Sequence, residues 1–169
     1  THTTVLVVPK ATADAGVDAV ICENDTYTLS SIATNYASLQ WITSGDGTFT
    51  GGTTLTPTYT PGPNDKNSGS AILTLTAVKN TPCFANAIDQ MTLTIKKIPT
   101  ITIAVPDVDL CVGAPNYIVT GVTAIDYDSL LWTTSGTGTF APNGTVNPTY
   151  FPSDDDYILG TVTLTITAS

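Results

Sequence analysis

The chain carries few of the side chains that perform acid–base or nucleophilic catalysis. His2 is the only histidine and Glu23 the only glutamate among its 169 residues. A serine or cysteine nucleophile needs a base beside it, most often a histidine. Since no histidine lies in the body of the sequence, no such pair can be assembled there. The sequence therefore predicts a protein that is not an enzyme.

The aspartates are the residues best suited to hold a metal ion. Ca²⁺ takes six to eight oxygen ligands, often aspartate side chains and loop carbonyls. Two kinds of place suit this ion. One is a pair of aspartates that occurs twice, as Asp14 and Asp18 and again as Asp107 and Asp109, and the other is the run Asp154, Asp155 and Asp156. Neither set has EF-hand spacing. Ca²⁺ binding and a merely solvated acidic surface therefore stay open as alternatives, and no cofactor is required.

The distribution of charge excludes one class of partner. The formal net charge is −9, and residues 98–169 contain seven aspartates but neither lysine nor arginine. Such a surface repels phosphate backbones, so nucleic-acid binding is not expected. The sequence has no initiator methionine, signal peptide or long apolar run. We expect an internal fragment that does not insert into a membrane.

One nine-residue phrase occurs twice. WITSGDGTF at 41–49 returns as WTTSGTGTF at 132–140, 91 positions later. PTYTP (57–61) returns as PTYFP (148–152), and LTLTA (73–77) as LTITA (164–168), at the same offset. A G-x-G sequence can cradle phosphate when a helix follows it, but here strand sequence follows, which predicts a tight turn. The chain is predicted to contain two copies of one module.

The ends of the two copies do not coincide with the ends of the chain. Residues 3–16 resemble the segment 91–105 that joins the copies, so residues 1–8 are predicted to be the closing strand of a preceding module. Module 1 is then 9–98, and module 2 is 99–169 without its last strand. A sandwich lacking a strand exposes an open sheet edge. We therefore expect strand exchange between molecules.

Alternation of apolar and polar residues predicts the fold class. It is visible at 26–31, 71–78, 90–97, 100–105 and 161–168, and no segment has a sustained helical period. This pattern is typical of all-β, antiparallel sandwich modules. Four aromatic residues recur in both copies and are predicted to be core residues: Trp41 and Trp132, with Tyr59 and Tyr150. Sugar stacking on the tryptophans is the alternative.

The order of these motifs resembles a known family. ADAGVDAVICENDTYTL, SLQWITSGDGTF, PTYTP, SAILTLTAV and IDQMTLTI follow one another as in the PKD-like, immunoglobulin-like repeats of giant Bacteroidetes surface proteins. The resemblance covers nearly the whole chain. It implies an extracellular array exported by type IX secretion, as in adhesins that include the SprB-type gliding adhesins. The partners implied are neighbouring repeats and a surface polysaccharide or another cell-surface ligand.

The three cysteines are expected to form disulfides in such an exported protein. Cys22, Cys83 and Cys111 lack the C-x-x-C spacing of zinc and redox sites. One alternative is a Cys22–Cys83 bond within module 1, worth about 4 kcal/mol. The PKD-like strand order places these two cysteines at opposite ends of the sandwich. The second alternative is therefore a bond from Cys22 to the last-hairpin cysteine of the next module.

Two further expectations concern the surface. Asp128-Ser129-Leu130 is similar to the short O-glycosylation signal of exported Bacteroidetes proteins, with Ser129 as acceptor. The functional hypothesis is a structural repeat of an adhesin or stalk fibre at the bacterial cell surface, with a role in adhesion or gliding motility. The alternative is a carbohydrate-binding or spacer module of a secreted enzyme, which should expose aromatic side chains on one face.

Overall fold

The computed structural model of the chain describes residues 2–104 and 107–169. Two compact units are present, unit 1 (Thr1–Lys97) and unit 2 (Ile98–Ser169). Thr1 and Val105, each expected at the end of a strand, lie outside the described residues.

Unit 1 is built from nine strands and one short helix. These are β1 (Thr12–Asp14), β2 (Ala19–Cys22), β3 (Tyr27–Thr28), β4 (Ile32–Thr34), β5 (Tyr36–Thr43), β6 (Thr48–Thr50), β7 (Thr58–Thr60), α1 (Pro63–Ser68), β8 (Ser70–Lys79) and β9 (Ala87–Lys96). They form a four-stranded sheet in the order β2-β9-β8-β5, a three-stranded sheet β3-β7-β6 and the pair β1-β4. Most neighbours are antiparallel, but β2 runs parallel to β9.

Unit 2 repeats this order in a shorter form. Its elements are β10 (Thr100–Ile103), β11 (Tyr117–Ile118), β12 (Val122–Ile125), β13 (Leu130–Thr134), β14 (Thr139–Ala141), β15 (Thr149–Phe151), α2 (Asp154–Leu159) and β16 (Leu164–Ala168). The sheets are β13-β16, β11-β15-β14 and β10-β12. Within the described part of unit 2, no strand corresponds to β2 or β9.

The core of each unit lies where alternate strand residues meet. Leu73 and Leu75 of β8 and Leu93 of β9 are fully buried, as the period of two in these segments predicts. The predicted core residues Trp41, Trp132, Tyr59 and Tyr150 are all at most 5% exposed. In each unit a phenylalanine stands between the other two rings, which produces the three-ring stack described below.

The structure departs from the all-strand prediction at two places. Helices α1 and α2 each span six residues. They were not predicted because six residues are too few to display a 3.6-residue period. Each helix ends at a glycine in the left-handed conformation, Gly69 and Gly160, with φ of 77° in both. This is the usual helix terminus at glycine.

The N-terminal segment also differs from its expected conformation. Residues 2–11 form no strand in this structure. Val5, Leu6 and Val7 are 79%, 84% and 83% exposed. Residues 1–8 were predicted to pair with a module that precedes unit 1, and this stays a prediction.

The burial of β8 compared with β16 leads to a stability prediction. Leu73→Ala removes a fully buried side chain from the strand that pairs with β9, and we expect it to destabilise unit 1 by about 3 to 4 kcal/mol. The matched change Leu164→Ala removes a half-buried side chain at the same position of unit 2 and should cost about half as much.

Each unit contains one tryptophan, so the two indole N–H resonances report the unfolding of the two units separately in a urea titration followed by NMR. Equal losses for the two variants would show that β9 does not account for the deeper burial in unit 1.

Candidate functional site

A buried aspartate closes each unit, in an arrangement that we call the clasp. In unit 1 the carboxylate of Asp65, on helix α1, is 1% exposed. It accepts hydrogen bonds from the Tyr59 hydroxyl at 2.6 Å, from the Gly47 N–H at 2.9 Å and from the Gly62 N–H at 3.0 Å. One side chain thereby links strand β7, the turn after β5 and the start of α1.

Unit 2 builds the same clasp at the 91-residue offset. The Asp156 carboxylate is 5% exposed. It accepts from the Tyr150 hydroxyl at 2.6 Å and from the N–H groups of Thr137 and Ser153, both at 2.9 Å. Buried carboxylates are tolerated only when their lone pairs are satisfied in this way.

The repeated phrase needs its glycines because the turn lies directly against the clasp and leaves no room for a side chain. A Cβ added at Gly45 would overlap the Asp65 carboxylate, and one at Gly47 would overlap the Tyr59 ring. The equivalent additions at Gly136 and Gly138 would meet Asp156 and Tyr150. The S-G-x-G sequence is therefore a structural turn whose N–H groups face a protein carboxylate.

The aromatic stack adjoins the clasp. In unit 1 the ring centroids of Trp41 and Phe49 are 5.8 Å apart and those of Phe49 and Tyr59 are 4.8 Å apart. The corresponding distances in unit 2 are 5.6 Å and 5.0 Å. Trp41 Nε1 donates to the Thr54 carbonyl at 3.2 Å and Trp132 Nε1 to the Thr145 carbonyl at 3.0 Å. Trp41 and Trp132 are 5% and 4% exposed, as the core prediction requires.

The electrostatics of the clasp follow from burial and hydrogen bonding. Burial, together with the adjacent Asp65 carboxylate, raises the pKa of Tyr59 to about 12. Burial, together with the adjacent Asp156 carboxylate, raises the pKa of Tyr150 in the same way. For Asp156 burial acts to raise the pKa, but hydrogen bonds from Tyr150, Ser153 and Thr137 outweigh it and lower the pKa to about 2. At neutral pH the clasp of unit 2 therefore pairs a neutral phenol with a carboxylate, which gives strong hydrogen bonds.

The two turns differ at one position, Asp46 in unit 1 and Thr137 in unit 2, and the N-cap residue of the following helix differs with it. Unit 1 has Gly62 as N-cap, without a side chain, and the Asp46 carboxylate instead accepts from the N–H groups of Asn64 and Asp65 at 3.1 and 3.2 Å. In unit 2 the N-cap is Ser153, whose hydroxyl accepts from the Asp156 N–H and bonds the Thr137 hydroxyl at 2.6 Å. Both arrangements satisfy the first turn of the helix.

Sequence reasoning did not assign these aspartates to the clasp. Asp156 was predicted as a Ca²⁺ ligand, yet it is buried, lies in helix α2 and is hydrogen-bonded by protein donors. Two signals in the sequence pointed to a structural role. Asp156 recurs 91 positions after Asp65, and each aspartate follows the repeated tyrosine, Tyr59 or Tyr150, by six residues.

Each of the remaining Ca²⁺ candidates either accepts a hydrogen bond from a backbone N–H or is exposed. Asp14 Oδ1 accepts from the Gly16 N–H, and Asp18 Oδ1 from the Thr92 N–H at 2.7 Å. Asp107, Asp109, Asp154 and Asp155 are exposed. Over residues 2–104 and 107–169, three or more acidic, histidine or cysteine side chains nowhere gather into a metal-binding group. Ca²⁺ binding stays a prediction.

The structure separates the cysteines of unit 1. Cys22 ends β2 beside Lys96, whereas Cys83 lies in the hairpin that precedes β9, at the other end of the same sheet. The length of β9 places them about 30 Å apart, far beyond the Cα separation of a disulfide. Cys22, Cys83 and Cys111 are free thiols. The Cys22–Cys83 alternative is therefore wrong for this fold, and a bond between modules stays a prediction.

Two other predicted surface features can be located. Ser129 is exposed, and its hydroxyl lies 2.7 Å from that of Ser169. Phe84 is 96% exposed in the β8–β9 hairpin, while Phe151 is 39% exposed. In the described part of the chain, neither helix is long and apolar enough to cross a bilayer.

A groove of about 580 Å³ opens along unit 2. On one side it is lined by residues 107–110 and on the other by residues 160–164, with Trp132 and Tyr150 among its lining residues. In unit 1 the corresponding space is occupied by β9, whose Leu93 is fully buried. The groove is therefore the position of a strand.

Comparison with known proteins agrees with this architecture. No protein-family model matches the chain, and no curated protein matches it significantly. Among solved structures, Sidekick-1 immunoglobulin domains 1-5 match with a TM-score of 0.51 at 18% identity, covering 95% of this chain and 38% of that chain. The chain thus spans well under half the length of that structure. At this identity the likeness establishes the fold alone, a tandem of immunoglobulin-like β-sandwich units.

Two further structures have lower TM-scores. Sidekick-1 immunoglobulin domains 1-4 match with a TM-score of 0.47 at 18% identity, over 94% of this chain and 48% of that one. Protocadherin Gamma B2 extracellular cadherin domains 3-6 match with a TM-score of 0.44 at 12% identity, over 95% and 46%.

The clasp of unit 1 can be tested by removing its charge. Asp65→Asn replaces one carboxylate oxygen by an NH₂ donor, which faces an N–H donor of the clasp, and the oxygen that remains accepts its hydrogen bonds without a negative charge. We expect a loss of at least about 2 kcal/mol in the free energy of unfolding of unit 1. The exposed residue Asp25 provides the control, since Asp25→Asn should change that free energy by less than about 0.5 kcal/mol. Urea unfolding monitored at the Trp41 indole measures both, and similar values would contradict the clasp.

The lowered pKa of Asp156 predicts an acid-sensitive unit 2. Because the folded-state pKa, about 2, lies below the ordinary value of 3.8, the carboxylate stabilises the fold fully above about pH 4. That stabilisation is lost as the pH falls through 2. The free energy of unfolding of unit 2 should therefore fall more steeply between pH 4 and pH 2 in the native chain than in the Asp156→Asn variant. Parallel pH profiles at the Trp132 indole would contradict the assignment.

Proposed function

We propose that this chain is a non-enzymatic segment of a long bacterial surface protein, in which repeated immunoglobulin-like units form a stalk or adhesive fibre. The observation that carries the proposal is the parallel pairing of β2 with β9 in unit 1, at four successive positions from Ala19↔Leu93 to Cys22↔Lys96. These are a strand near the beginning and the last strand of the unit.

The parallel pair is suited to resist force along the fibre. Tension on unit 1 passes first through β1, which pairs with β4, then reaches the N-terminal end of β2 and leaves at the C-terminal end of β9. Because the strands are parallel, these ends lie at opposite ends of the pair, and tension acts to slide one strand along the other. All the hydrogen bonds of the paired region are then loaded together. This geometry favours a mechanical role.

The recurrence of interior residues supports the same role. The clasp and the aromatic stack recur in both units, and both are buried networks. A binding module would instead repeat an exposed face. The repeated features are therefore those that hold each unit folded, as expected of a structural repeat.

The cellular setting is part of the proposal. The net charge of −9 is compatible with a solvated exterior surface. The resemblance to Bacteroidetes repeats supports type IX export, a place at the cell surface and a role in adhesion or gliding motility. Neighbouring repeats are the partners proposed first, with a surface polysaccharide as the adhesive ligand and Ca²⁺ as a stiffening ion.

Single-molecule force spectroscopy on the whole chain tests the mechanical role. Unit 1 should unfold at a higher force than unit 2, which has no such parallel pair in its described residues. Because the Glu23 N–H donates to the Lys96 carbonyl and N–H directions alternate along a strand, the Ala19 N–H also faces β9. Ala19→Pro removes this donor and should lower the unfolding force of unit 1. Ala19→Ser keeps the donor and should retain the force.

Two results would contradict the proposal. One is an unfolding force of unit 1 that does not change in the Ala19→Pro variant. The other is binding of a soluble polysaccharide that is abolished by Phe84→Ala, since that would instead support a carbohydrate-binding module.

A further inference from the structure

The loop that follows β14 in unit 2 replaces a backbone contact of unit 1 by a side-chain contact. In unit 1 the Trp41 N–H donates to the backbone carbonyl of Gly52 at 2.9 Å. The residue at the matching position of unit 2, 91 residues later, is Asn143, and the Trp132 N–H donates to its side-chain Oδ1 at 2.9 Å. The same strand edge is thus satisfied by a peptide carbonyl in one unit and by a carboxamide in the other.

The carboxamide of Asn143 is held at both of its ends. Oδ1 accepts from the Gly144 N–H at 2.9 Å as well as from Trp132, and Nδ2 donates to the Trp132 carbonyl at 3.2 Å. Trp132 is 4% exposed, whereas Asn143 is exposed. A solvent-accessible side chain is therefore tied to the backbone of a core residue.

Asn143 is also the only asparagine in the sequence that is followed by glycine. Asparagine is a chemically labile residue, and a following glycine, which has no Cβ, lets its own backbone nitrogen approach the side-chain carbon Cγ. A bond forms between that nitrogen and Cγ as the Cγ–Nδ2 bond breaks, and the proton of the glycine N–H leaves with Nδ2 as ammonia. Water then opens the resulting succinimide ring at one of its two carbonyl carbons, which gives aspartate or isoaspartate.

The folded unit holds these groups in an arrangement that does not react. The Gly144 N–H points in its own peptide plane at Oδ1, whereas attack uses the nitrogen electrons perpendicular to that plane and is directed at Cγ. Cγ must therefore turn toward the nitrogen, and the carboxamide must leave Trp132. The N–H and carbonyl of Trp132 would then lose their partners, which opposes the reaction for as long as the unit is folded.

We propose that Asn143 is a self-modification site that the fold of unit 2 protects. While the unit is folded, the carboxamide stays on Trp132. When the unit opens, the Gly144 nitrogen attacks Cγ, and water completes the conversion to aspartate or isoaspartate. This inference rests on the loop alone, and it does not depend on the mechanical role proposed above.

The product cannot restore the contacts of the asparagine. An aspartate carboxylate has acceptors only, so the Trp132 carbonyl loses its donor and faces a second oxygen. An isoaspartate adds a methylene to the main chain two residues before Thr145, whose carbonyl accepts from the indole Nε1 of Trp132 at 3.0 Å. The refolded unit is therefore less stable, and an opening event leaves a permanent chemical record. Unit 1 has Gly52 at this position and no side chain to modify.

Peptide mapping by mass spectrometry measures the reaction directly. The native chain is incubated in mildly alkaline buffer with and without urea, and aspartate and isoaspartate at position 143 are quantified after digestion. We expect conversion in urea to be at least about tenfold faster than in buffer, because the folded unit reacts only through its open fraction. Asn116 is the internal control, since it is followed by tyrosine and should convert far more slowly in urea.

A matched pair of clasp variants tests whether opening of unit 2 controls the reaction. Asp156→Asn should raise the conversion rate in buffer by the same factor as it raises the unfolded fraction of unit 2, which is read at the Trp132 indole. Asp65→Asn weakens unit 1 and should leave the rate at Asn143 unchanged. The native chain at urea concentrations within the unfolding transition of unit 2 gives the same comparison if Asp156→Asn does not fold.

The stability of the product is measured with Asn143→Asp. Loss of one hydrogen bond should raise the unfolded fraction of unit 2 by about fivefold in a urea titration read at the Trp132 indole. Asn143→Gly carries the residue of unit 1 and should show no mass increase in this loop after incubation in urea. It therefore provides the blank for the mapping experiment.

Three results would overturn the proposal. Equal conversion of Asn143 in buffer and in urea would show that the fold gives no protection. A native conversion rate in Asp156→Asn, despite a larger unfolded fraction, would show that the loop opens without the unit. An Asn143→Asp chain as stable as the native one would show that the contacts of the carboxamide with Trp132 do not stabilise unit 2.

Discussion

One buried carboxylate in each unit is the interaction on which the rest of the structure depends. Asp65 and Asp156 each join a strand, a tight turn and a short helix through hydrogen bonds. The buried carboxylate must be satisfied, and the repeated turn, the tyrosine hydroxyl and the N–H of the helix N-cap residue satisfy it. This requirement explains why the same nine-residue phrase is retained in both units.

Much of the fold could be predicted from the sequence, because long strands display their burial as alternation. Strand β8 and the two tryptophans follow this rule. Three features could not be predicted. The helices are too short to show a period, and the parallel partnership of β2 and β9 joins segments more than 70 residues apart. The role of Asp65 depends on a turn and a strand that converge only in the folded unit. An aspartate run such as Asp154–Asp156 resembles a metal site until burial separates its members.

Unit 1 and unit 2 together show what a single strand contributes to a sandwich of this kind. With β9 in place, β8 is ten residues long and its inward side chains are buried. In unit 2, β16 has five residues and its inward side chains are half-buried. The clasp and the aromatic stack are nevertheless complete in unit 2. Each unit therefore contains a closed half, built around the tyrosine, and a half that requires its last strand.

The two units cap their helices with different residues, Asp46 in unit 1 and Ser153 in unit 2, and this has a consequence for tandem repeats of similar sequence. Neighbouring copies can misfold by trading segments, so that a turn from one unit meets a helix from the other. A hybrid of the Thr137 turn with the Gly62 helix would contain neither the Asp46 carboxylate nor the Ser153 hydroxyl, and its helix would begin without a cap. An absent cap costs about 1 kcal/mol. Divergence at two matched positions thus disfavours one of the two possible hybrids.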